Sequence, residues 1–243
     1  MKTITIAGQK GGIGKTTLTF NLGAALVRAK KKVLLIDMDS QGNLSKHALP
    51  EYTDSEHEQD SVAEIVKYGA EWPDVMREVR EGFSIVPAGS RLRELDEEIA
   101  EINLSFFESS FDFVLFDCPP AMGPRTIAAV VSADEVIVPA EAASFSFDGV
   151  RAINRSLQTL GKKMSGIVIN KFSPRLRVAR HLIEDFQNLA ADIDTKLYNS
   201  YIRNSVAIVE AQLQQQDIFT YDEESAAASD FANLAVEVIR GNG

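Results

Sequence analysis

The chain has 243 residues, 45% of them hydrophobic, with one cysteine and 25 Lys/Arg against 35 Asp/Glu, a net charge of −10. That hydrophobic share belongs to a globular chain with a sizeable core, and no run approaches the roughly 18 apolar residues of a membrane span. The lone Cys118 excludes an internal disulfide and any site built on paired cysteines, while the acidic balance argues against a broadly nucleic-acid-binding surface.

No charged-then-apolar leader precedes the first expected strand, so the chain is expected to be cytoplasmic. Thr3-Ile4-Thr5-Ile6-Ala7 alternates and predicts that strand. Leu18, Leu22, Ala25, Leu26 and Ala29 recur at helical spacing and predict a helix. Between them lies Gly8-Gln9-Lys10-Gly11-Gly12-Ile13-Gly14-Lys15-Thr16-Thr17. Strand, glycine-rich turn and helix start are the context of a phosphate-binding loop. Backbone N–H groups turn inward there, the helix N-terminus adds partial positive charge, and Lys15 adds a full one. The Thr16 hydroxyl is placed to hold Mg²⁺. The pattern G-x-x-x-x-G-K-[ST] asks for glycine at position 9, where this chain has Gln9, and a second lysine, Lys10, stands near the loop's start.

This two-lysine loop resembles the deviant Walker A motif of the ParA/MinD family of ATPases. The resemblance implies ATP and Mg²⁺ as ligands, with residues 10–17 (Lys10, Gly11, Gly12, Ile13, Gly14, Lys15, Thr16 and Thr17) around the phosphates. It also implies that Lys10 reaches across a dimer interface to the partner's nucleotide, making an ATP sandwich homodimer.

Val33-Leu34-Leu35-Ile36 is a continuous apolar run, as in a strand buried on both faces of a parallel sheet. It ends in Asp37-Met38-Asp39-Ser40-Gln41-Gly42-Asn43, two carboxylates at the strand end where α/β sheets bind ligands. The family has D-x-D-P-Q-G-N here. By resemblance Asp39 positions the attacking water and Asp37 lies nearer the Mg²⁺ shell, with Ser40 replacing the usual proline. Residues 47–61 are polar and acidic and read as a solvated insertion. His47, His57 and His181 lack metal-ligand spacing and are expected on the surface. Helices are expected over 62–68 and 74–81, a strand over 83–87, and a charged amphipathic helix over 91–102.

Phe111-Asp112-Phe113-Val114-Leu115-Phe116-Asp117-Cys118-Pro119-Pro120 is the second strong signal. Its apolar run ends in Asp117, a carboxylate placed to hold Mg²⁺ through water. The family's F/Y-D, hydrophobic run, D-C/T-P-P pattern matches closely, which makes residues 119–123 a switch segment sensing the γ-phosphate. Cys118 reads as small filler. Asp134 to Pro139 predicts another strand, Phe147, Val150, Ile153, Leu157 and Leu160 a helical core stripe, and Gly166 to Lys171 a further buried strand. The resemblance makes Asn170 a candidate adenine contact; a turn or capping role is the alternative.

Ser173-Pro174 reads as an N-cap and first helical residue. Arg175, Arg177 and Arg180 follow in the first turns, where cations oppose the helix dipole. They are candidates for DNA phosphate contact, together with Arg203, or else form a solvated face. The band 161–204 holds eight Lys/Arg and four Asp/Glu, whereas 205–243 holds one Arg and seven Asp/Glu. A last strand is expected over 196–202. Ile202-Arg203-Asn204-Ser205-Val206-Ala207-Ile208-Val209-Glu210-Ala211 resembles the family's I-R-x-S-V-A-x-x-E-A segment. Relatives continue with a glycine loop and a basic stretch, replaced here by Gln214-Gln215-Gln216 and Asp222-Glu223-Glu224. Phe231, Leu234, Ala235, Val238 and Ile239 predict a final helix.

The expected architecture is a doubly wound, mostly parallel α/β sheet flanked by helices on both faces, a P-loop NTPase, with 1–243 as one domain. The resemblance implies an ATPase that segregates or positions DNA or another large cargo. Its ATP-bound homodimer would hold nucleoid DNA without sequence preference, and a ParB-like or other cargo adaptor would stimulate hydrolysis and release. A MinD-like member needs a basic amphipathic C-terminal helix, and the acidic tail here leads us to expect no membrane. A metabolic enzyme of the same superfamily is the remaining alternative, and no second substrate motif is found for it.

Overall fold

A computed structural model describes residues 1–53, 60–96, 102–143, 146–173 and 179–241, with the backbone alone for 96, 179 and 180. β1 (Lys2–Ile6) leads into the glycine loop and α1 (Lys15–Arg28) leaves it. β2 (Val33–Asp37), α2 (Asn43–Ala48), α3 (Val62–Tyr68) and α4 (Trp72–Val75) follow. Then come β3 (Arg77–Arg80), β4 (Phe83–Val86), β5 (Phe113–Asp117), α5 (Pro124–Ser132), β6 (Glu135–Glu141) and α6 (Ser146–Thr159). β7 (Gly166–Asn170), α7 (Ala179–Asp192), α8 (Val206–Leu213), α9 (Ile218–Asp222) and α10 (Ala226–Arg240) complete the elements. The strands form one sheet of order β3-β4-β2-β5-β1-β6-β7, parallel except at β3.

Period-two alternation divides each strand between two cores. Val33, Leu35, Phe113 and Leu115 face α1 and α10, packing with Leu18, Leu22, Leu26, Phe231 and Leu234. Leu34, Ile36, Val114 and Phe116 face the opposite layer, packing with Trp72, Leu92, Phe107 and Ala129. Burial on both faces is why these strands read as unbroken apolar runs rather than alternating ones. Residues Leu18 to Leu26 of α1 are buried all round, because α1 is sandwiched between the sheet and α10. Toward β6 and β7, Val138, Ile167 and Ile169 pack with Val150, Ile153, Leu157 and Phe186.

Four expectations are corrected. The helix expected over 74–81 stops at Val75, and Arg77–Arg80 runs antiparallel to β4 as β3. Gly82, at φ 74, turns the chain back tightly, and only the half-buried Arg77 and Val79 face inward. The charged helix expected over 91–102 is a 3₁₀ segment, Ser90–Asp96, and residues 97–101 lie outside the described ones. The strand expected over 196–202 does not form a continuous ladder. Tyr198 and Ile202 donate backbone bonds to Ile167 and Ile169, both at 2.9 Å, but the N–H groups of Asn199 and Ser200 between them turn to the Glu237 carboxylate. His47 is buried instead of exposed: its ring lies 4.3 Å from that of Phe20, and its Nε2 donates to the Gln216 carbonyl at 3.0 Å. His181 is exposed as expected, while His57 and the rest of 54–59 lie outside the described residues.

No helix among the described residues is long and apolar enough to cross a membrane.

Candidate active site

The doubly wound order places the C-terminal ends of β1, β5 and β2 side by side. Ile6 pairs with Asp117, and Asp117 with Asp37, so residues far apart in the chain share one sheet edge. Residues 8–14 cross this edge into α1. Gly14 caps the helix at φ 84, and a Cβ there would lie 2.3 Å from Asn170 Nδ2, so a side chain is excluded twice over. The first turn of α1 carries Lys15 and no acidic residue. The first N–H groups of a helix, which lack intrahelical acceptors, the helix dipole and an ammonium thus converge on one spot, an environment that favours an anion.

Lys15 is buried, and its Nζ lies 3.2 Å from the Lys10 carbonyl, so the side chain folds back over the loop. Burial pulls its pKa below the usual lysine range, and the charges of Asp117 and Asp39 act to raise it. Thr16 Oγ1 donates to Asp117 Oδ2 at 2.7 Å, while Thr19, one turn on, lies 3.3 Å from the other carboxylate oxygen. Asp117 is buried; desolvation, then the neighbouring charge of Asp37, push its pKa up against the opposing pull of Thr16 and Lys15.

Asp37 is fully buried and accepts three hydrogen bonds. Its Oδ2 accepts from Ser45 N at 2.9 Å and Ser45 Oγ at 2.7 Å, and its Oδ1 accepts from Asp39 N at 3.1 Å. Ser45 Oγ in turn accepts from Ala88 N at 2.9 Å, tying α2 to the end of β4. Desolvation raises the Asp37 pKa despite these bonds. Asp39 is half-buried and caps its own turn, its Oδ1 accepting from Gln41 N at 3.0 Å while Gly42 N donates to its carbonyl at 2.8 Å. That turn is closed without the family's proline. After β5, the Thr126 hydroxyl holds the Ala121 carbonyl at 2.6 Å, and Arg125 reaches the Met38 carbonyl at 3.3 Å, linking the 119–123 segment to the Asp37–Asp39 stretch. Burial pushes the Cys118 thiol far above its ordinary range, which fits filler and not a nucleophile.

On the far flank, Asn170 Nδ2 donates to the Ile13 carbonyl at 2.8 Å and its Oδ1 accepts from Lys171 N at 2.9 Å. This is the bracing and turn role. Asn170 also lines a cleft of about 90 Å³ with Gly14, Thr17 and Val209, beside the start of α1.

Known proteins are similar to this chain over nearly its whole length. The sequence is 29% identical to the sporulation initiation inhibitor protein Soj of Bacillus subtilis, over 98% of both chains. It is 29% identical to the chromosome-partitioning ATPase Soj of Treponema pallidum, over 100% of this chain and 98% of that one. The fold superposes on that of Cyanothece apo McdA with a TM-score of 0.81 at 25% identity, covering 98% of this chain and 100% of the other. Residues 1–170 match the AAA domain family. The chain belongs to that family, as a ParA-type partition ATPase.

In this ParA-type ATPase the structure brings Lys15, Thr16, Asp37, Asp39 and Asp117 together at one sheet edge. Lys10, Gly11 and Gly12 lie exposed on the loop, Ile13 is buried against β6 and α6, and Thr17 is half-buried beside the cleft. Arg175 and Arg177 lie outside the described residues, as does the side chain of Arg180. Arg203 is described, and its guanidinium grips Asp230 through Nε and Nη2, both at 2.6 Å. Sequence reasoning missed Ser45, Arg125 and Lys171, which act on the site's backbone and carboxylates. Their partners are 8, 87 and 159 residues away, and no local spacing marks them.

Proposed function

We propose that this chain binds Mg-ATP at residues 10–17, closes into a homodimer around the nucleotide, and uses hydrolysis to position or segregate DNA or another large cargo. The observation that carries the reading is the Thr16–Asp117 contact beside the buried Lys15 ammonium. A hydroxyl and a carboxylate 2.7 Å apart at a loop that favours anions are the donor set of a hard cation shared with phosphate oxygens. The residues present fit Mg²⁺.

Thr16 and Asp117 would hold the ion, with Asp37 behind them shaping the field. Bound there, Mg²⁺ supplies neutralisation of charge on the β- and γ-phosphates. The N–H groups of Gly11, Gly12, Ile13, Gly14, Lys15 and Thr17 orient the phosphates, and Lys15 balances their charge. Asp39, at the mouth of the site, accepts a hydrogen bond from the attacking water and aligns it with the γ-phosphorus. Lys10 acts in the partner's site. Asn170, at the cleft beside Thr17, contacts adenine through the second Nδ2 hydrogen or the remaining Oδ1 lone pair that its bonds to Ile13 and Lys171 do not use.

The chromosome-partitioning role named for the Treponema pallidum relative supports DNA as the cargo or track. In this reading the ATP-bound dimer holds nucleoid DNA without sequence preference, in the cytoplasm, and a ParB-like or other cargo adaptor stimulates release. Arg175, Arg177, Arg180 and Arg203 are the proposed contacts, Arg203 sharing its guanidinium with Asp230. Size-exclusion chromatography with a non-hydrolysable ATP analogue, followed by mobility shift on unrelated duplexes, tests this. Wild type should dimerise and then shift DNA only with ATP, the logarithm of affinity falling by roughly 0.9 per phosphate contact for each decade of salt. Lys10→Ala should bind nucleotide and remain monomeric. A nucleotide-bound dimer that ignores DNA at ~50 mM salt but docks on anionic vesicles would replace the nucleoid reading with a membrane-positioning one.

A further inference from the structure

Two side chains at the end of β7 grip the glycine loop from behind. Asn170 Nδ2 holds the Ile13 carbonyl at 2.8 Å, and Lys171 Nζ holds the Gly12 carbonyl at 2.5 Å. The same ammonium lies 3.0 Å from Glu141 Oε1. Glu141 ends β6 in register with Asn170, so the ion pair is set by the sheet. Lys171 adopts φ 52, in the left-handed region that a lysine rarely enters, and its N–H is pinned by Asn170 Oδ1. Such a conformation persists at a non-glycine residue only where its surroundings over-determine it.

A trans peptide unit points its C=O and its N–H in opposite directions. A Gly12 carbonyl drawn toward Lys171 therefore turns the N–H of Ile13 the other way. An Ile13 carbonyl drawn toward Asn170 does the same for the N–H of Gly14. A cation on a carbonyl also polarises its peptide unit and strengthens the N–H as a donor. We propose that Lys171, steadied by Glu141, is a positioning residue of the phosphate site. It orients and polarises the loop N–H groups from outside, completing on Gly12 what Asn170 does on Ile13. The proposal rests on the nucleotide reading above. It adds a third lysine to the two in the loop, one that acts through the backbone and not on phosphate.

The test compares wild type with Lys171→Met, Lys171→Arg and Glu141→Gln, measuring the dissociation constant for ATP, KM, kcat and the melting temperature of each. Lys171→Met should weaken ATP binding about tenfold, the scale of one charge-assisted hydrogen bond transmitted to the loop. KM should rise by more than kcat falls. Lys171→Arg, which keeps a donor for Gly12 and a cation for Glu141, should recover most of that loss, and Glu141→Gln should fall between. Methionine and arginine variants that melt alike but differ in ATP affinity support positioning over a merely structural role. ATP affinity in Lys171→Met within twofold of wild type would overturn the proposal, as would an arginine variant no better than the methionine one. Wild type that binds no ATP would overturn the nucleotide reading itself, a distinct result.

Discussion

Replacing Ser45 by alanine removes the hydroxyl that holds two structural groups at once. Its Oγ donates to the fully buried Asp37 carboxylate at 2.7 Å and accepts from Ala88 N at 2.9 Å. A hydrogen bond to a charged group contributes about 1.5–3 kcal/mol, and a buried N–H left without an acceptor costs about 1–3 kcal/mol. Both bonds share one oxygen, so the losses overlap, and the Ser45 N–H still reaches Asp37 at 2.9 Å. We expect about 2–4 kcal/mol of destabilisation. At roughly 2–4 °C per kcal/mol for a chain this long, the melting temperature should fall by about 5–15 °C. The functional consequence runs through Asp37 Oδ1, which holds the Asp39 backbone at 3.1 Å. A loosened Asp37 lets Asp39 drift, and turnover should drop by about 10–100-fold, the scale of an ångström-level misplacement. ATP affinity should change little, because Lys15 and the loop sit on β1 and α1. Urea and thermal denaturation followed by circular dichroism, a phosphate-release assay and isothermal titration with ATP read these four quantities. A variant with an unchanged denaturation midpoint and wild-type turnover would refute the clamp.

Gly14→Ala should abolish ATP binding and cost at least about 2 kcal/mol, since φ 84 and a 2.3 Å approach to Asn170 penalise any Cβ; isothermal titration and thermal melting check both. Asp39→Ala should keep nucleotide affinity while turnover falls by about 10²–10⁴, leaving the dimer trapped with ATP, as seen by size-exclusion; wild-type turnover would remove Asp39 from the water-positioning role. His47 is held neutral by burial, its pKa lowered below 6.5 in the folded chain. The unfolded chain therefore binds the extra proton first, so this group's stabilisation is intact above pH 6.5 and is lost as pH falls below it. His47→Gln should flatten that part of the pH profile, measured as urea midpoints at pH 5.5 and 7.5; an equal pH dependence in variant and wild type would show that His47 is not its source.

Much of this protein lies in its local sequence. The loop 8–17 declares itself because phosphate binding needs glycines, a lysine and a helix start within ten consecutive residues. Strands β2, β5 and β7 declare themselves because burial on both faces demands an unbroken apolar run ending at the ligand edge. What sequence order conceals is adjacency across the sheet. β5 lies between β1 and β2, and only that placement brings Asp117 against Thr16 and Asp37. The misread segments share this cause. Helical spacing over 74–81 yields to a glycine turn that folds β3 back on β4, and the ladder over 196–202 is interrupted because Glu237, from α10, captures two of its N–H groups. His47 looks like a loop histidine until Phe20 and Gln216 close over it. Local composition thus determined which groups can do the chemistry. Tertiary packing decided which carboxylates stay buried beside a lysine and which donors hold them, because desolvation and hydrogen-bond partners come from whatever folds alongside.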